Sequence, residues 1–356
     1  MIRAKETIAP GAGLDISRRG FVTGAAALGG LAGSGFGPLS RLLAQGQPHR
    51  IDVHHHITPP TWLDALKMAK LDNPPLANWS VAKSIEDMDK AGIATAMTSP
   101  TSPQVGFLPK ADAARVARES NDYAKKLMTD HPGRFGIFAM LPVPYIDECL
   151  KEIAYALDTL KADGIGMMTS YGDKWLGHAV FAPLWEELNR RKATVYTHPT
   201  GANCCINAVP GIPDSAIEWG TDTMRTIGNL LLSGTSQKYK DINWIFSHGG
   251  GALTSFAERF QMQIPSVPPY KGTFTREIVD GELRRFYYDT AQISNAVTLG
   301  ALAKLVPISQ IVYGTDYPYR TGLDHTKGVT SNFSGADLMK VERENALRLI
   351  PRLKAA

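Results

Sequence analysis

From Arg50 onward, short apolar or β-branched runs alternate with amphipathic stretches of helical length, and Gly or Pro stands at most junctions. Such alternation is typical of parallel βαβ units, and eight of them predict an α/β fold, the closed (β/α)8 TIM barrel. A doubly wound open sheet is the rival fold, but it would place a glycine-rich loop after the first strand, where this chain has three histidines. The predicted strands are 51–54, 94–98, 135–141, 164–169, 194–198, 243–248, 286–290 and 310–314.

The predicted helices lie between these strands, and one of them opens with Ser84-x-x-Asp87, the pattern of a capping box. Segment 57–80 is rich in Pro and Asn and segment 199–221 in Pro, Gly and Asn, so both are predicted to be loops that follow strand ends. In a barrel these ends share the face that carries active sites, and both segments are therefore predicted to be lid insertions. The predicted helices are 84–91, 111–130, 147–161, 181–192, 222–232, 253–260, 295–305 and 335–349.

The N-terminal segment differs from the rest of the chain. Residues 17–22, Ser-Arg-Arg-Gly-Phe-Val, resemble the twin-arginine export motif, and an uncharged stretch rich in Ala, Gly and Leu runs from there to Ser40. Its many glycines make this stretch a poor membrane span, so no stable membrane insertion is expected. The predicted organisation is a twin-arginine signal peptide with a short linker over 1–46 and a barrel domain over 47–356, exported to the periplasm.

The charge of the chain is concentrated in this segment. Lys plus Arg exceed Asp plus Glu by 38 to 34, which gives a formal net charge of +4. Residues 1–44 hold five basic and two acidic side chains, so the remaining chain carries a net charge of only +1. The barrel domain therefore has no basic excess of the kind that nucleic-acid binding requires, and no nucleic-acid partner is expected.

Histidines and one aspartate stand where predicted strands end. His54 and His56 lie two residues apart, and alternate residues of a strand share a face, so both are predicted to point into the barrel while His55 faces the helices. Imidazole nitrogens with one carboxylate suit a borderline divalent ion. His325 is assigned to a surface loop. The other groups at the same rim are His198 and His248, which end the fifth and sixth strands, and Asp316, which follows the eighth.

Four motifs resemble those of the amidohydrolase superfamily, in the same order, over essentially everything after residue 48. They are most similar to the branch of cofactor-free decarboxylases that act on aminocarboxymuconate semialdehyde, 6-methylsalicylate, γ-resorcylate and 5-carboxyvanillate. The motifs are Asp52-x-His54-x-His56, Tyr196-x-His198-Pro199, His248-Gly249-Gly250-Gly251 and Gly314-Thr315-Asp316-Tyr317-Pro318.

The resemblance implies a role for each residue of the rim. His54, His56, His198 and Asp316 become metal ligands, and His248 becomes the catalytic base or water-activating residue beside the metal. The ends of the fourth and fifth strands lack the lysine with which other members bind two metals. One divalent ion is therefore expected, with Zn²⁺ as the first expectation and Mn²⁺ as the alternative.

The activity implied is that of a metal-dependent, cofactor-free decarboxylase, a lyase of a small aromatic or muconate-type carboxylic acid. An ortho-hydroxybenzoate such as a methylsalicylate is the expected substrate, because its hydroxyl and carboxylate chelate a metal and its protonated ring accepts the electrons. Asp316 and His248 are both candidates for delivering the proton. The alternative is a metal-dependent hydrolase of a lactone or amide on the same barrel, and a third class is a non-catalytic binder, which the complete ligand set disfavours.

Three further residues are predicted to bind the substrate. Tyr171 and Trp175, after the fourth strand, would form an aromatic wall. Arg259 matches an arginine that reaches across the dimer interface in the muconate-semialdehyde enzymes, which implies a homodimer; the alternative for Arg259 is a solvated helix residue. Asp289, which ends the seventh strand, is either a partner that orients His248 or a structural carboxylate.

Overall fold

The computed structural model describes residues 48–268, 270–272 and 274–355, and the predicted signal peptide lies outside the described residues. Backbone contacts divide the chain into two units, Met1–Gln45 and Gly46–Ala356, and the fold described below is that of the second unit. Among the described helices, none combines the length and the apolar character that crossing a membrane would require.

Eight parallel strands form a single sheet whose order follows the chain, which confirms the predicted (β/α)8 barrel. A short antiparallel hairpin, which the sequence pattern did not reveal, follows the fourth barrel strand. The barrel strands are β1 (Arg50–His56), β2 (Ile93–Ser99), β3 (Phe135–Met140), β4 (Gly164–Met168), β7 (Thr194–His198), β8 (Asn243–Phe246), β9 (Tyr287–Asp289) and β10 (Ile311–Val312), and the hairpin strands are β5 (Ser170–Tyr171) and β6 (Lys174–Trp175).

Helices connect the strands and surround the barrel. Two π-helical turns, Tyr155–Thr159 and Lys340–Glu344, interrupt or extend them. The α-helices are α1 (Pro60–Ala69), α2 (Pro74–Ala77), α3 (Val81–Ala91), α4 (Lys110–Asp130), α5 (Ile146–Ala154), α6 (Ala182–Arg190), α7 (Asp214–Leu232), α8 (Thr235–Lys238), α9 (Leu253–Gln263), α10 (Arg276–Arg285), α11 (Ala296–Leu305), α12 (Gly322–Asn332), α13 (Gly335–Met339) and α14 (Asn345–Leu349).

Hydrogen bonds between the first strand and the segment after the last strand close the barrel. The backbone N–H of Val53 donates to the carbonyl of Tyr313 at 2.9 Å, and that of Asp316 donates to the carbonyl of His54 at 2.9 Å. The carboxylate of Asp52 adds two bonds, because it accepts from the backbone N–H of Thr315 at 3.0 Å and from the Thr315 hydroxyl at 2.6 Å. These contacts join segments from opposite ends of the barrel domain.

The two predicted lid segments contain helices. In 57–80 the helices α1 and α2 both begin at proline, a residue favoured in the first turn because it has no N–H to leave unpaired. In 199–221 the helix α7 begins at Asp214, directly after Pro213. Proline therefore marked the helix starts in these segments. The loop prediction was wrong where α1, α2 and α7 form, whereas residues 199–213, before α7, contain only a short 3₁₀ turn.

Two local predictions were wrong. The helix predicted to open at Ser84 begins at Val81, and its cap is Ser80, whose hydroxyl accepts from the N–H of Lys83. Ser84 is thereby left inside the helix and bonds to His55 at 2.7 Å. His325 is fully buried in α12, a helix that the sequence pattern did not indicate, and its Nε2 lies 3.0 Å from the hydroxyl of Thr290.

Candidate active site

Imidazoles and one carboxylate converge at the end of the barrel where the strands terminate. His54 and His56 come from the end of β1, and both are completely buried. Their Nε2 atoms lie 3.1 Å apart, and each also lies 3.1 Å from Oδ1 of Asp316, which follows β10. Three potential ligand atoms therefore point at one place, as the sequence predicted.

His198 and His248 complete this cluster. The His198 ring centre lies 4.7 Å from that of His56, and the His248 ring centre lies 5.0 Å from that of His54. Ligand atoms of His54, His198, His248 and Asp316 all lie within 4.8 Å of one another. This group includes His248 in place of the predicted ligand His56, although His56 is equally close to its neighbours. The geometry therefore allows two ligand sets, which differ by one histidine.

The Nδ1 atoms of the histidines are occupied on the side away from the cluster. Nδ1 of His56 lies 3.2 Å from the carbonyl of Ser99, and Nδ1 of His198 lies 2.8 Å from the carbonyl of Pro199. A carbonyl oxygen only accepts, so both Nδ1 atoms donate, and in a neutral ring the lone pair is then on Nε2. Nδ1 of His54 likewise lies 2.8 Å from Oδ2 of Asp289. This is the tautomer that metal-binding histidines adopt.

The charges around the cluster favour a cation. Burial lowers the pKa of His54, but Asp289 and Asp316 outweigh that effect and raise it to about 10. Burial lowers the pKa of His56, and His54 lowers it further. Burial alone would raise the pKa of Asp316, but His54 and hydrogen bonds from its neighbours hold it well below the usual range. Two carboxylates that stabilise positive charge at His54 would also stabilise a divalent ion there, so the residues present fit one bound metal ion.

Asp289 connects two parts of the site. One of its oxygens faces His54, and the other accepts the backbone N–H of His248 at 2.8 Å and that of Ala291 at 3.0 Å. Asp289 is therefore both an orienting residue and a structural carboxylate, the two alternatives that the sequence left open. It orients His54 through the side chain and His248 through the backbone.

The glycines after His248 allow a close approach of helix α7. Gly251 has φ +63°, and a Cβ built on it would lie 2.0 Å from the carbonyl oxygen of Gly220. That carbonyl accepts the N–H of Ala252 at 3.0 Å. The neighbouring Trp219 is thereby held near the histidine cluster, with its ring centre 5.6 Å from that of His198 in an edge-on arrangement.

The residues predicted to bind substrate lie in three different environments. The hydroxyl of Tyr171 accepts the N–H of Met168 at 2.9 Å, and its side chain lines a cavity of about 500 Å³ beside the barrel mouth. The indole of Trp175 donates to Asp222 at 2.6 Å. Arg259 is exposed on α9, with its guanidinium 5.8 Å from the ring centre of Phe256. Substrate binding by these three residues stays a prediction.

Sequence reasoning missed two residues of the site. Trp219 lies in the segment that was interpreted as a lid loop, so no helical register was available to place it. Gln292 donates from its side-chain amide to Oδ2 of Asp316 at 2.7 Å. Its only signal in the sequence was its position three residues after the end of a barrel strand.

Comparison with known proteins agrees with this geometry. The amidohydrolase family model matches residues 51–352. Decarboxylase yanB of Aspergillus niger is 37% identical over 331 residues, which cover 86% of this chain and 88% of the relative. The 6-methylsalicylic acid decarboxylase acuB of Aspergillus aculeatus is 36% identical over 324 residues, which cover 86% of this chain and 97% of the relative.

A solved structure shares the fold. The dihydroxybenzoic acid decarboxylase of Polaromonas sp. JS666, with bound manganese and the inhibitor 2-nitroresorcinol, superposes with a TM-score of 0.77 at 20% sequence identity. The superposition covers 87% of this chain and 98% of that chain. At this level of identity the similarity describes the barrel architecture.

A matched pair of variants distinguishes the two ligand sets. We expect His56→Ala to lose the metal and His248→Ala to retain it, because the Nδ1 contact of His56 prepares its Nε2 as a ligand. Removing a true ligand should weaken metal affinity by more than the roughly 10–100-fold that removal of a residue supporting a ligand costs. Metal content after dialysis, measured by elemental analysis on folded protein, checks this expectation. The opposite pattern would make His248 the ligand.

Proposed function

Because the chain belongs to the amidohydrolase family, we propose that it is a metal-dependent, cofactor-free decarboxylase of a small ortho-hydroxybenzoate of the methylsalicylate type. The observation that carries this proposal is a buried imidazole nitrogen that makes no hydrogen bond and lies directly beside a cation site. Within the described part of the chain, Nε2 of His248 is buried without a hydrogen-bond partner, 3.4 Å from Oδ2 of Asp316. The names of the two fungal relatives support decarboxylation over hydrolysis for this arrangement.

The metal would be held by three histidines and Asp316. When bound, it supplies a Lewis acid that polarises the carboxylate and phenolate oxygens of the substrate. We propose zinc for this chain because imidazole nitrogens dominate the donor set. Manganese, present in the Polaromonas structure, is the alternative that metal analysis must test.

His248 is the residue that we propose to move the proton. Both oxygens of Asp316 already accept or face hydrogen-bonding groups, with histidines at Oδ1 and the amide of Gln292 at Oδ2, whereas Nε2 of His248 makes no hydrogen bond among the described residues. A proton passes from Nε2 of His248 to the ring carbon that carries the carboxylate. The bond between that carbon and the carboxylate then breaks, its electron pair restores the aromatic ring, and carbon dioxide leaves. The buried histidines limit the access of water to this step.

The proposal predicts carbon dioxide release. Purified protein loaded with zinc or manganese should convert 6-methylsalicylate to equal amounts of carbon dioxide and 3-methylphenol. The isomer with its hydroxyl group meta to the carboxylate should not react, because it cannot chelate. His248→Ala should lower kcat by about 10²–10⁴-fold, the usual contribution of a general acid or base. Isotopic carbon dioxide release and chromatography of the phenol measure both products.

The result that contradicts this proposal is equally specific. Hydrolysis of an aromatic lactone or amide by the metal-loaded protein, without carbon dioxide release from any ortho-hydroxybenzoate, would establish the hydrolase. Removal of the metal by a chelator, followed by restoration with each ion separately, identifies the active metal.

We further propose that the partner of the chain is a second copy of itself. An apolar groove of about 350 Å³ lies between α7 and α9 and continues to Val267. Phe256 and Val267 on its walls are 39% and 45% exposed, and Arg259 stands beside them. An exposed groove of this kind is a common feature of subunit interfaces. We place the interface here because Arg259 resembles the arginine that reaches across the dimer interface in the muconate-semialdehyde enzymes.

Sedimentation of a matched pair of variants tests the dimer. Phe256→Asp would place a charged carboxylate where the proposed interface is apolar, so it should shift the protein from dimer to monomer at micromolar concentration. Val297→Asp, at an 82% exposed position on α11, should leave the dimer intact. A wild-type protein that sediments as a monomer would refute the proposal.

We also propose that residues 1–46 direct export to the periplasm by the twin-arginine route. In a bacterium with that route, the full-length chain should accumulate in the periplasmic fraction. A variant with Arg18→Lys and Arg19→Lys should remain in the cytoplasm, whereas Arg41→Lys, outside the motif, should be exported normally. Immunoblotting of cell fractions measures this, and equal export of all three chains would exclude the proposed signal.

A further inference from the structure

Three residues other than glycine adopt left-handed backbone conformations just beyond the ends of three consecutive strands. They are His248 after β8, Gln292 after β9 and Asp316 after β10, with φ of 54°, 58° and 68°. Side chains with a Cβ avoid this region, so such conformations persist where the surrounding structure imposes them, and they cluster at functional sites. The three side chains meet at a single atom, Oδ2 of Asp316.

The contacts at Asp316 divide its carboxylate into two halves. Oδ1 lies 3.1 Å from Nε2 of both His54 and His56, on the side of the histidine cluster. Oδ2 accepts the side-chain amide of Gln292 at 2.7 Å and lies 3.4 Å from Nε2 of His248. The hydrogen bond from the Gln292 side chain therefore determines which oxygen of Asp316 faces the histidine cluster and which faces His248.

We propose that Gln292 is a positioning residue that acts through Asp316, a role that rests on the metal site of the proposed function. Its amide holds the plane of the Asp316 carboxylate, so that Oδ1 is presented to the bound cation and Oδ2 to His248. An amide suits this task because it donates a hydrogen bond without bringing a charge. A lysine or arginine at the same place would repel the cation.

The surroundings of Gln292 separate this role from a role in folding. Its side chain is exposed at the barrel mouth, while the neighbouring Ala291 and Ile293 are buried. Replacing the side chain therefore leaves the core packing in place.

The decisive variant is Gln292→Met, which keeps the length of the side chain and removes the donor. We expect metal affinity, measured by competition with a chelator, to fall about 10-fold, at the lower end of the range for residues that support a metal ligand. The thermal midpoint of the metal-free protein should not change. For the decarboxylase reaction, kcat should fall while KM stays within twofold, because the substrate does not lose a contact.

Two further variants control this experiment. Gln292→Asn keeps the amide but is one methylene too short, so it should lose as much affinity as the methionine variant. Gln261→Met removes an amide that donates to Asp280, between α9 and α10, and should leave metal affinity and kcat unchanged.

Two outcomes would overturn the proposal. One is a metal affinity of Gln292→Met within twofold of the wild type, and the other is a loss of affinity accompanied by an equal loss of thermal stability without metal. The affinity measurement does not depend on turnover. A wild-type protein that binds metal but releases no carbon dioxide would refute the decarboxylase, and the role of Gln292 would still be decided.

Discussion

The hydrogen bonds of Asp52 are the constraint on which the site depends, because they hold the first strand of the barrel against the segment after the last. One carboxylate accepts from the backbone and hydroxyl of Thr315 and from the N–H of His54. His56 and Asp316, 260 positions apart in the chain, approach to 3.1 Å only because this junction is closed. Bonds to a buried carboxylate are charge-assisted and directional, so they determine position as well as stability.

The outer side of the same strand supports this junction. His55 points away from the histidine cluster. Its ring stacks on that of Tyr317, with the ring centres 4.6 Å apart, and its Nε2 lies 2.7 Å from the hydroxyl of Ser84. Nδ1 of His55 lies 3.0 Å from Asp52. Three consecutive histidines thus serve two purposes: the outer two face the candidate metal, and the middle one joins the strand to a helix and to the loop that carries Asp316.

The sequence predicted the barrel and the meeting of the histidines with Asp316 at its rim because both depend on periodic patterns. Strand ends in a parallel barrel share one rim, so His198 and Asp316 could be assigned to the rim without knowledge of their neighbours. The helices of the two lid segments and the burial of His325 could not be predicted in this way. Both depend on packing against distant parts of the chain, which local composition does not record.

What the sequence by itself determined was the set of chemical groups and the rim at which they meet. What only the tertiary structure decided was their exact mutual arrangement. The register of β1 against β2 shifts between Asp52 and His55, so that Val53 packs in the barrel interior and the next residue, His54, also faces it. Such a bulge re-aims a side chain through pairing with the neighbouring strand. The amide of Gln292 reaches Asp316 for the same reason: contacts between strand ends are set by the closed barrel, and the spacing of residues along the chain carries no record of them.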